Sequence, residues 1–285
     1  MSNSASKGIK QHKDNGKVVD NPWRELRRFT DARIGLGRAG ISLPTNEMLA
    51  FQLSHAQARD AVNFPLDFAA LSEQLQPFGE SVLQLHSQAV DRSHYLQRPD
   101  LGRKLDIASR DKLTDFMNNG SAGALHQHDI AITIVDGLSS LAVQKNAIAF
   151  IKQLLVLLEE QPQAWRLAPF TLVEQGRVAI GDDIGQLLNA KVVVVLIGER
   201  PGLSSPDSLG LYLTWQPKAG LNDASRNCIS NIRPAGLSYQ DAAQRTLYLL
   251  QEARRLNLSG VGLKDRSQDD VIEHQIHTKN FLLSE

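Results

Sequence analysis

A single cysteine, Cys228, among 285 residues excludes an intramolecular disulfide and points to a reducing compartment, so a cytoplasmic location is expected. Neither sign of charge dominates, because lysine plus arginine and aspartate plus glutamate number 31 each. A nucleic-acid binder carries a basic excess, and no nucleic-acid partner is expected. No apolar run approaches the ~20 residues that cross a bilayer, so no membrane is expected either. The opening MSNSASKGIKQHKDNGKVVDN has lysines but no apolar h-region, which argues against a secretory signal. It reads as a disordered tail over residues 1–20 and lacks the spacing of an amphipathic docking helix. What remains is globular: 42% hydrophobic and 22% charged residues supply a sizeable core. Zero net charge gives little self-repulsion, which suits a subunit of a complex.

Residues 21–125 read as a mainly helical N-terminal region. In NPWRELRRFT, Pro22 fits a first helical turn capped by Asn21. Arg24, Arg27 and Arg28 fit a solvated helix face or a docking face for an acidic partner. From Pro44 to Asn118 the pattern is helical, with Thr45 or Asn46 as a cap and Leu49, Leu53 and Ala56 on one stripe. SRDKLTDFMNNG reads as a helix capped by Ser109 and closed near Gly120. Residues 126–262 change texture. IAITIVDG, FTLVEQGRVAI, KVVVVLIG, LGLYLTW and CISNI read as strands, with a glycine break at Gly176. Between them, Ser139 or Ser140 caps a helix with stripe Leu141, Ile148, Ile151, Leu155 and Leu158. Asp182 is read as the cap of DIGQLLNA. Ser238, with Asp241 completing a capping box, opens a helix reaching Leu256. Strands alternating with helices predict an α/β fold with a Rossmann-like, mostly parallel sheet flanked by helices. Residues 263–285 form a polar C-terminal tail.

The candidate motifs separate by context. GLGRAG, Gly35 to Gly40, matches the dinucleotide pattern, but no buried strand precedes it and Pro44 stands where its helix should run. A turn-rich loop placing Arg33 and Arg38 at a protein interface fits better. His126 and His128 form an H-x-H pair that would share one strand face, yet no further ligand follows at a fixed spacing; neither this pair nor His274 and His277 near the terminus is assigned a metal. Nucleophile-elbow, Walker-type and C-x-x-C motifs are absent. Strand ends remain: Asp136 in IVDG, Glu199 and Arg200 in LIGERPG, Cys228 and Asn231 in CISNI. In open α/β sheets ligands sit outside the carboxyl ends of strands. Pro201 keeps Arg200 extended. An internal ion pair or cap for Glu199, and a small buried apolar role for Cys228, are the structural alternatives.

FTDARIGLGRAG, YLQRPDLGRKL, DGLSS, GRVAIGDDIGQLLNAKVVVVLIGERPGL and CISNI together resemble, in order and spacing, the small subunit (light chain) of ethanolamine ammonia-lyase, from about Asn21 to Gly262. The resemblance implies an adenosylcobalamin-dependent carbon–nitrogen lyase converting ethanolamine to acetaldehyde and ammonia by radical chemistry. It implies that the catalytic residues and substrate pocket lie on a large subunit, and that the small chain alone is inactive. The implied assembly has six large and six small chains. Residues 126–262 become a Rossmann-like cobalamin-binding domain at the subunit interface. The family's cobalamin contacts fall on Val178 in GRVAI, Glu199 in GERPGL and Cys228 in NCISNI. A carboxylate accepts amide N–H bonds from the cofactor's carboxamide fringe, Val178 packs on its apolar body, and Cys228 permits close approach. The absence of a D-x-H-x-x-G segment agrees with the family's base-on mode, in which the cofactor's own benzimidazole stays on cobalt. Arg33, Arg38, Arg98 and Arg103 are candidates for the large-subunit contact. A bacterial microcompartment is the alternative location. Two other readings stay open: a stand-alone nucleotide-binding oxidoreductase using GLGRAG, and a scaffold subunit without cofactor contact.

Overall fold

The structure is a computed structural model that describes residues 18–79, 81–119 and 127–267. It divides into two compact units, one ending at Gln57 and one starting at Ala58. In the first unit the Asn21 side chain accepts from the Trp23 N–H at 3.0 Å and opens a 3-10 turn over Pro22–Arg28. Helix α1 (Thr45–Asn63) then begins. GLGRAG lies between them as loop. Gly35 and Gly37 both have positive φ, and a Cβ on either would meet backbone atoms at 2.4 Å (Arg24 N) and 2.6 Å (Val19 O). Those glycines permit close backbone approach within the loop, and no strand–helix junction is present for a pyrophosphate.

The second unit begins with the end of α1, followed by α2 (Phe68–Leu75), β1 (Val82–His86), α3 (Arg92–Gln97), α4 (Ile107–Asn119) and β2 (His128–Val135). Then come α5 (Ser140–Glu159), β3 (Phe170–Glu174), α6 (Ile180–Leu187), β4 (Ala190–Gly198), β5 (Leu209–Trp215), β6 (Arg226–Ile232) and α7 (Tyr239–Leu256). The six strands form one sheet in the order β1-β3-β2-β4-β5-β6. Strands β1, β3, β2 and β4 are mutually parallel, while β5 is antiparallel to both β4 and β6. The expected mostly parallel, Rossmann-like sheet is therefore corrected to a mixed sheet within an α/β fold. The cause is connection length: the segments entering β5 and β6 carry no α-helix, and a parallel return needs a crossover of a dozen or more residues. A second difference is VLQLH, which lies in the stretch read as helical and forms the edge strand β1.

The sheet has two packed faces. Val192, Val194 and Leu196 face a core shared with α2, α5 and α7. Val193, Val195 and Ile197 face a smaller core under α4 and α6. A strand buried on both faces reads as a continuous apolar run, which explains VVVVLI. Helix α5 is long and apolar enough to cross a membrane by length and composition, but Phe150, Ile151, Leu154 and Leu158 on it are buried in the larger core. Its cap is Ser139, which accepts from the Ala142 N–H at 3.2 Å. Ser238 caps α7 by accepting from the Asp241 N–H at 3.1 Å, while the Asp241 carboxylate takes the Ser238 hydroxyl at 2.6 Å rather than the backbone N–H of a full capping box. Helix α4 starts earlier than Ser109, and Asp106 takes the Ser109 N–H at 2.7 Å. Gly120 lies outside the described residues.

Candidate functional site

The carboxyl ends of β2 and β4 interlock. A Cβ on Gly198 would stand 2.0 Å from Ser139 O, and one on Gly137 would stand 2.3 Å from Gly198 O. The Leu138 N–H donates to Gly198 O at 2.9 Å. The two strand ends are thus packed backbone against backbone. Asp136 is buried there, accepting from the N–H groups of Gly137 (2.8 Å), Gln175 (2.8 Å) and Gly176 (3.0 Å). The Arg92 guanidinium lies 3.7 Å away. Asp136, read from sequence as a strand-end candidate, is thus an internal brace. Burial nevertheless pushes its carboxyl up to about 6, against the Gln175 N–H, Arg92 and the two glycine N–H groups.

One residue beyond β4 the situation reverses. Glu199 is half-buried. Its carboxylate accepts hydrogen bonds from the Ser208 and Ser230 hydroxyls and from the Asn231 N–H at 3.2 Å. Three donors occupy a group with about four lone-pair positions, so acceptor capacity is left over. Gly210, the β5 partner of Ile197, lies beside this carboxylate: a Cβ there would stand 3.0 Å from Glu199 Cγ and Oε1. Glycine there gives the carboxylate its space. Asn231 holds a positive φ of 61°, a conformation asparagine tolerates better than most residues, and its N–H is thereby turned to Glu199.

Tyr212 and Cys228 are directly paired across β5 and β6. Cys228 is exposed. Burial by its neighbours pushes the thiol up, the Tyr212 hydroxyl opposes that, and Glu199 adds to it, which keeps the sulfur protonated and neutral. Val178 is half-buried and packs against the same small core as Tyr212. By strand alternation Glu199, Gly210, Tyr212 and Cys228 share the sheet face on which α6 lies, and Val178 enters that helix. The three residues predicted from sequence therefore gather on one face, and neither Glu199 nor Cys228 is sealed in a core.

Helix α6 holds this face together. Gly181 and Gly185 let it sit against β4, since a Cβ on Gly181 would be 2.3 Å from Val195 Cγ2. Asp182 does not cap it, contrary to the sequence reading; the cap position is Ala179, without a side-chain bond. Asp182 instead forms a buried two-pronged pair with Arg226, at 2.7 and 2.8 Å. Burial pushes the Asp182 carboxyl up and Arg226 pulls it back. That pair, which sequence reasoning missed, ties α6 to β6, two residues before Cys228. The signal was present as two adjacent acids in an apolar eight-residue helix.

The remaining candidates lie elsewhere. His128 opens β2 with Nδ1 2.7 Å from Leu188 O, while His126, His274 and His277 fall outside the described residues. Among the described residues no cluster of metal-ligating side chains forms. Arg98 is held by Asp100 at 2.7 and 3.0 Å. A cavity of about 620 Å³ lies at the opposite end of β4, lined by residues such as Lys191, Trp215, Lys218 and Arg254.

The model of the family described as ethanolamine ammonia-lyase light chain matches residues 20–264. The chain belongs to the ethanolamine ammonia-lyase small-subunit family. Small subunits of that enzyme from Pseudomonas fluorescens (strain SBW25) and Pseudomonas aeruginosa (strain UCBPP-PA14) are each 57% identical to it, over 94% and 93% of this chain and 95% and 96% of their own lengths. The Pseudomonas syringae pv. tomato small subunit is 55% identical over 91% of this chain and 88% of its own length. The matched residues 20–264 include GLGRAG and the positions of Val178, Glu199 and Cys228. Membership of a small-subunit family implies a large-subunit partner.

Proposed function

We propose that this small subunit serves an adenosylcobalamin-dependent ethanolamine ammonia-lyase, and holds part of the cobalamin through Val178, Glu199 and Cys228 where it meets the large subunit. The observation carrying this reading is their convergence on one sheet face, with spare acceptor capacity on Glu199 and an exposed, neutral thiol at Cys228. The residues fit the cofactor's chemistry. Glu199 would accept N–H bonds from carboxamides, Val178 would pack on apolar surface, and Cys228 would allow close approach without a bulky side chain. When bound, adenosylcobalamin supplies the radical chemistry by which ethanolamine becomes acetaldehyde and ammonia. This chain's contribution is orientation. The Ser208 and Ser230 hydroxyls and the Asn231 N–H fix the Glu199 carboxylate before the ligand arrives, so little ordering remains to be done on binding.

Catalytic residues and the substrate pocket belong to the large subunit on this reading, in an assembly of six large and six small chains, in the cytoplasm or a microcompartment. Co-expression with a large subunit, followed by ethanolamine turnover with and without adenosylcobalamin, tests it. Turnover is expected only with both chains and the cofactor together. Turnover by the small chain alone, or without cofactor, would reject the reading.

A further inference from the structure

Residues 18–57 lack an interior. Pro44 is the one buried apolar residue among 18–57, and every member of the hydrophobic core is numbered Ala61 or higher. The apolar groups are instead on its surface. Trp23 is 67% exposed, Phe29 74%, Leu49 57% and Leu53 58%, and Ile41 is fully exposed. Leu26, Leu43, Met48, Phe51, Val18 and Val19 also count among the exposed large hydrophobics. Scattered exposed apolar residues need no explanation, but this density in a short stretch does.

The local bonds do not supply the missing stability. The unit is held by the two-residue bridge between Val19 and Arg38, by the Glu47 carboxylate taking Arg27 at 3.0 Å, and by the Arg27 Nε bond to Ile34 O at 2.7 Å. Surface ion pairs contribute at most about 1 kcal/mol each, while ordering each residue costs on the order of 1–2 kcal/mol. A unit without a core therefore needs a surface to cover it.

The composition identifies that surface as an interface. Tryptophan, phenylalanine, methionine and arginine are the residue types enriched in interface cores, and lysine is depleted. Residues 18–57 contain Trp23, Phe29, Phe51, Met48 and five arginines, and no lysine. Eleven exposed apolar side chains offer on the order of 1,000 Å², against roughly 800 Å² per partner in a standard stable interface. Two arginines are stacked on aromatic rings, Arg28 on Phe29 at 4.8 Å and Arg33 on Phe51 at 5.6 Å. Such pairs present a flat, weakly hydrated cationic surface, which complements an apolar partner with a carboxylate rim.

We infer that residues 18–57 are the docking segment for the large subunit, with Trp23, Phe29, Leu49 and Leu53 as apolar anchors that gain their core only in the complex. This rests on the small-subunit reading above, which supplies the large subunit as occupant. A second copy of this chain is the alternative, and so is the chain's own second unit.

The test uses the full small chain with a tagged large subunit. Amide hydrogen exchange is followed on the wild-type small chain alone and in the complex. Residues 18–57 are expected to exchange fast alone and to become strongly protected on binding. No change there would overturn the inference. In parallel, Phe29→Ser with Leu53→Ser is expected to weaken large-subunit capture by about tenfold or more, with the small chain's own melting temperature unchanged. Undiminished capture by this variant would overturn the docking role. A lowered melting temperature would assign the anchors to the chain's own second unit and overturn it too. Undiminished capture together with loss of small-chain self-association would assign the surface to a second copy. Failure of the wild-type chain to be captured would reject the small-subunit reading itself, which the exchange experiment then cannot rescue.

Discussion

Glu199 and Asp136 carry the same functional group at the ends of neighbouring strands, and their surroundings give them opposite duties. Glu199 meets two hydroxyls and one N–H, beside a glycine that leaves room for it. Removing it in Glu199→Ala should weaken cobalamin binding by the two-chain enzyme by about tenfold, the scale of one hydrogen bond to a charged group. Cobalamin titration of the wild-type and variant complexes checks this, and equal affinities would remove Glu199 from the contact set. Asp136 has no such opening. An aspartate titrates near 4 in an unfolded chain, whereas burial raises Asp136 to about 6. Between those values the native state holds the extra proton, so stability falls as pH rises. This contribution, about 3 kcal/mol, is full below roughly pH 4 and lost once pH passes the folded value. The stability of wild type minus Asp136→Asn should therefore decline from pH 4 to pH 8 in urea unfolding, and a rising difference would reverse the assignment. Glu199 was legible in sequence because a buried apolar run ending in glycine fixes where the next side chain goes. Val178 was not: GRVAI reads as a strand by pattern, and only the family resemblance singled it out. The sealing of Asp136 was also hidden, because it depends on Gly137 and Gly198 meeting across two strands far apart in sequence.

Elements follow the same division between local and distant causes. The caps of α5 and α7 were legible from Ser139 and Ser238, because a capping side chain and its N–H partner lie within three residues. The direction of β5 and β6 was less so, although the helix-free stretches between residues 198 and 209 and between 215 and 226 held the answer. Helix α6 was misread at its start because Asp182 has a partner 44 residues away. That partnership makes a prediction about the element as a whole. Arg226→Leu leaves Asp182 buried without a counter-charge, and unpaired buried charges cost about 3–5 kcal/mol. Equilibrium unfolding of the small chain should show a loss of that order. The pair Asp182→Leu with Arg226→Met should restore a large part of it, since apolar replacements of both partners remove the stranded charge. If the double variant were as unstable as the single one, packing rather than charge would be the role of Arg226.

At the scale of the whole molecule, the core and the charge distribution separate two tasks. Among the described residues the hydrophobic core runs from Ala61 onward, mostly on the two faces of one mixed sheet, and the larger compact unit begins at Ala58. Among the described residues of the smaller unit Pro44 is the one buried apolar residue, so removal of the unit should leave the folding free energy of the remainder nearly intact. A chain starting at Ala58 is therefore expected to unfold cooperatively, with a melting temperature within a few degrees of the full chain, because a loss of about 1 kcal/mol shifts a domain of this size by roughly 2–4 °C. Circular dichroism melts of both chains measure it. The same truncation should remove most of the stabilisation that the large subunit confers on the full chain, leaving what the cofactor face contributes, since a partner that binds only the folded form raises its apparent stability with concentration. A truncated chain that gained as much melting temperature from the large subunit as the full chain would place the principal contact on the sheet-bearing unit, while one that failed to fold would show that the sheet-bearing unit depends on residues 18–57.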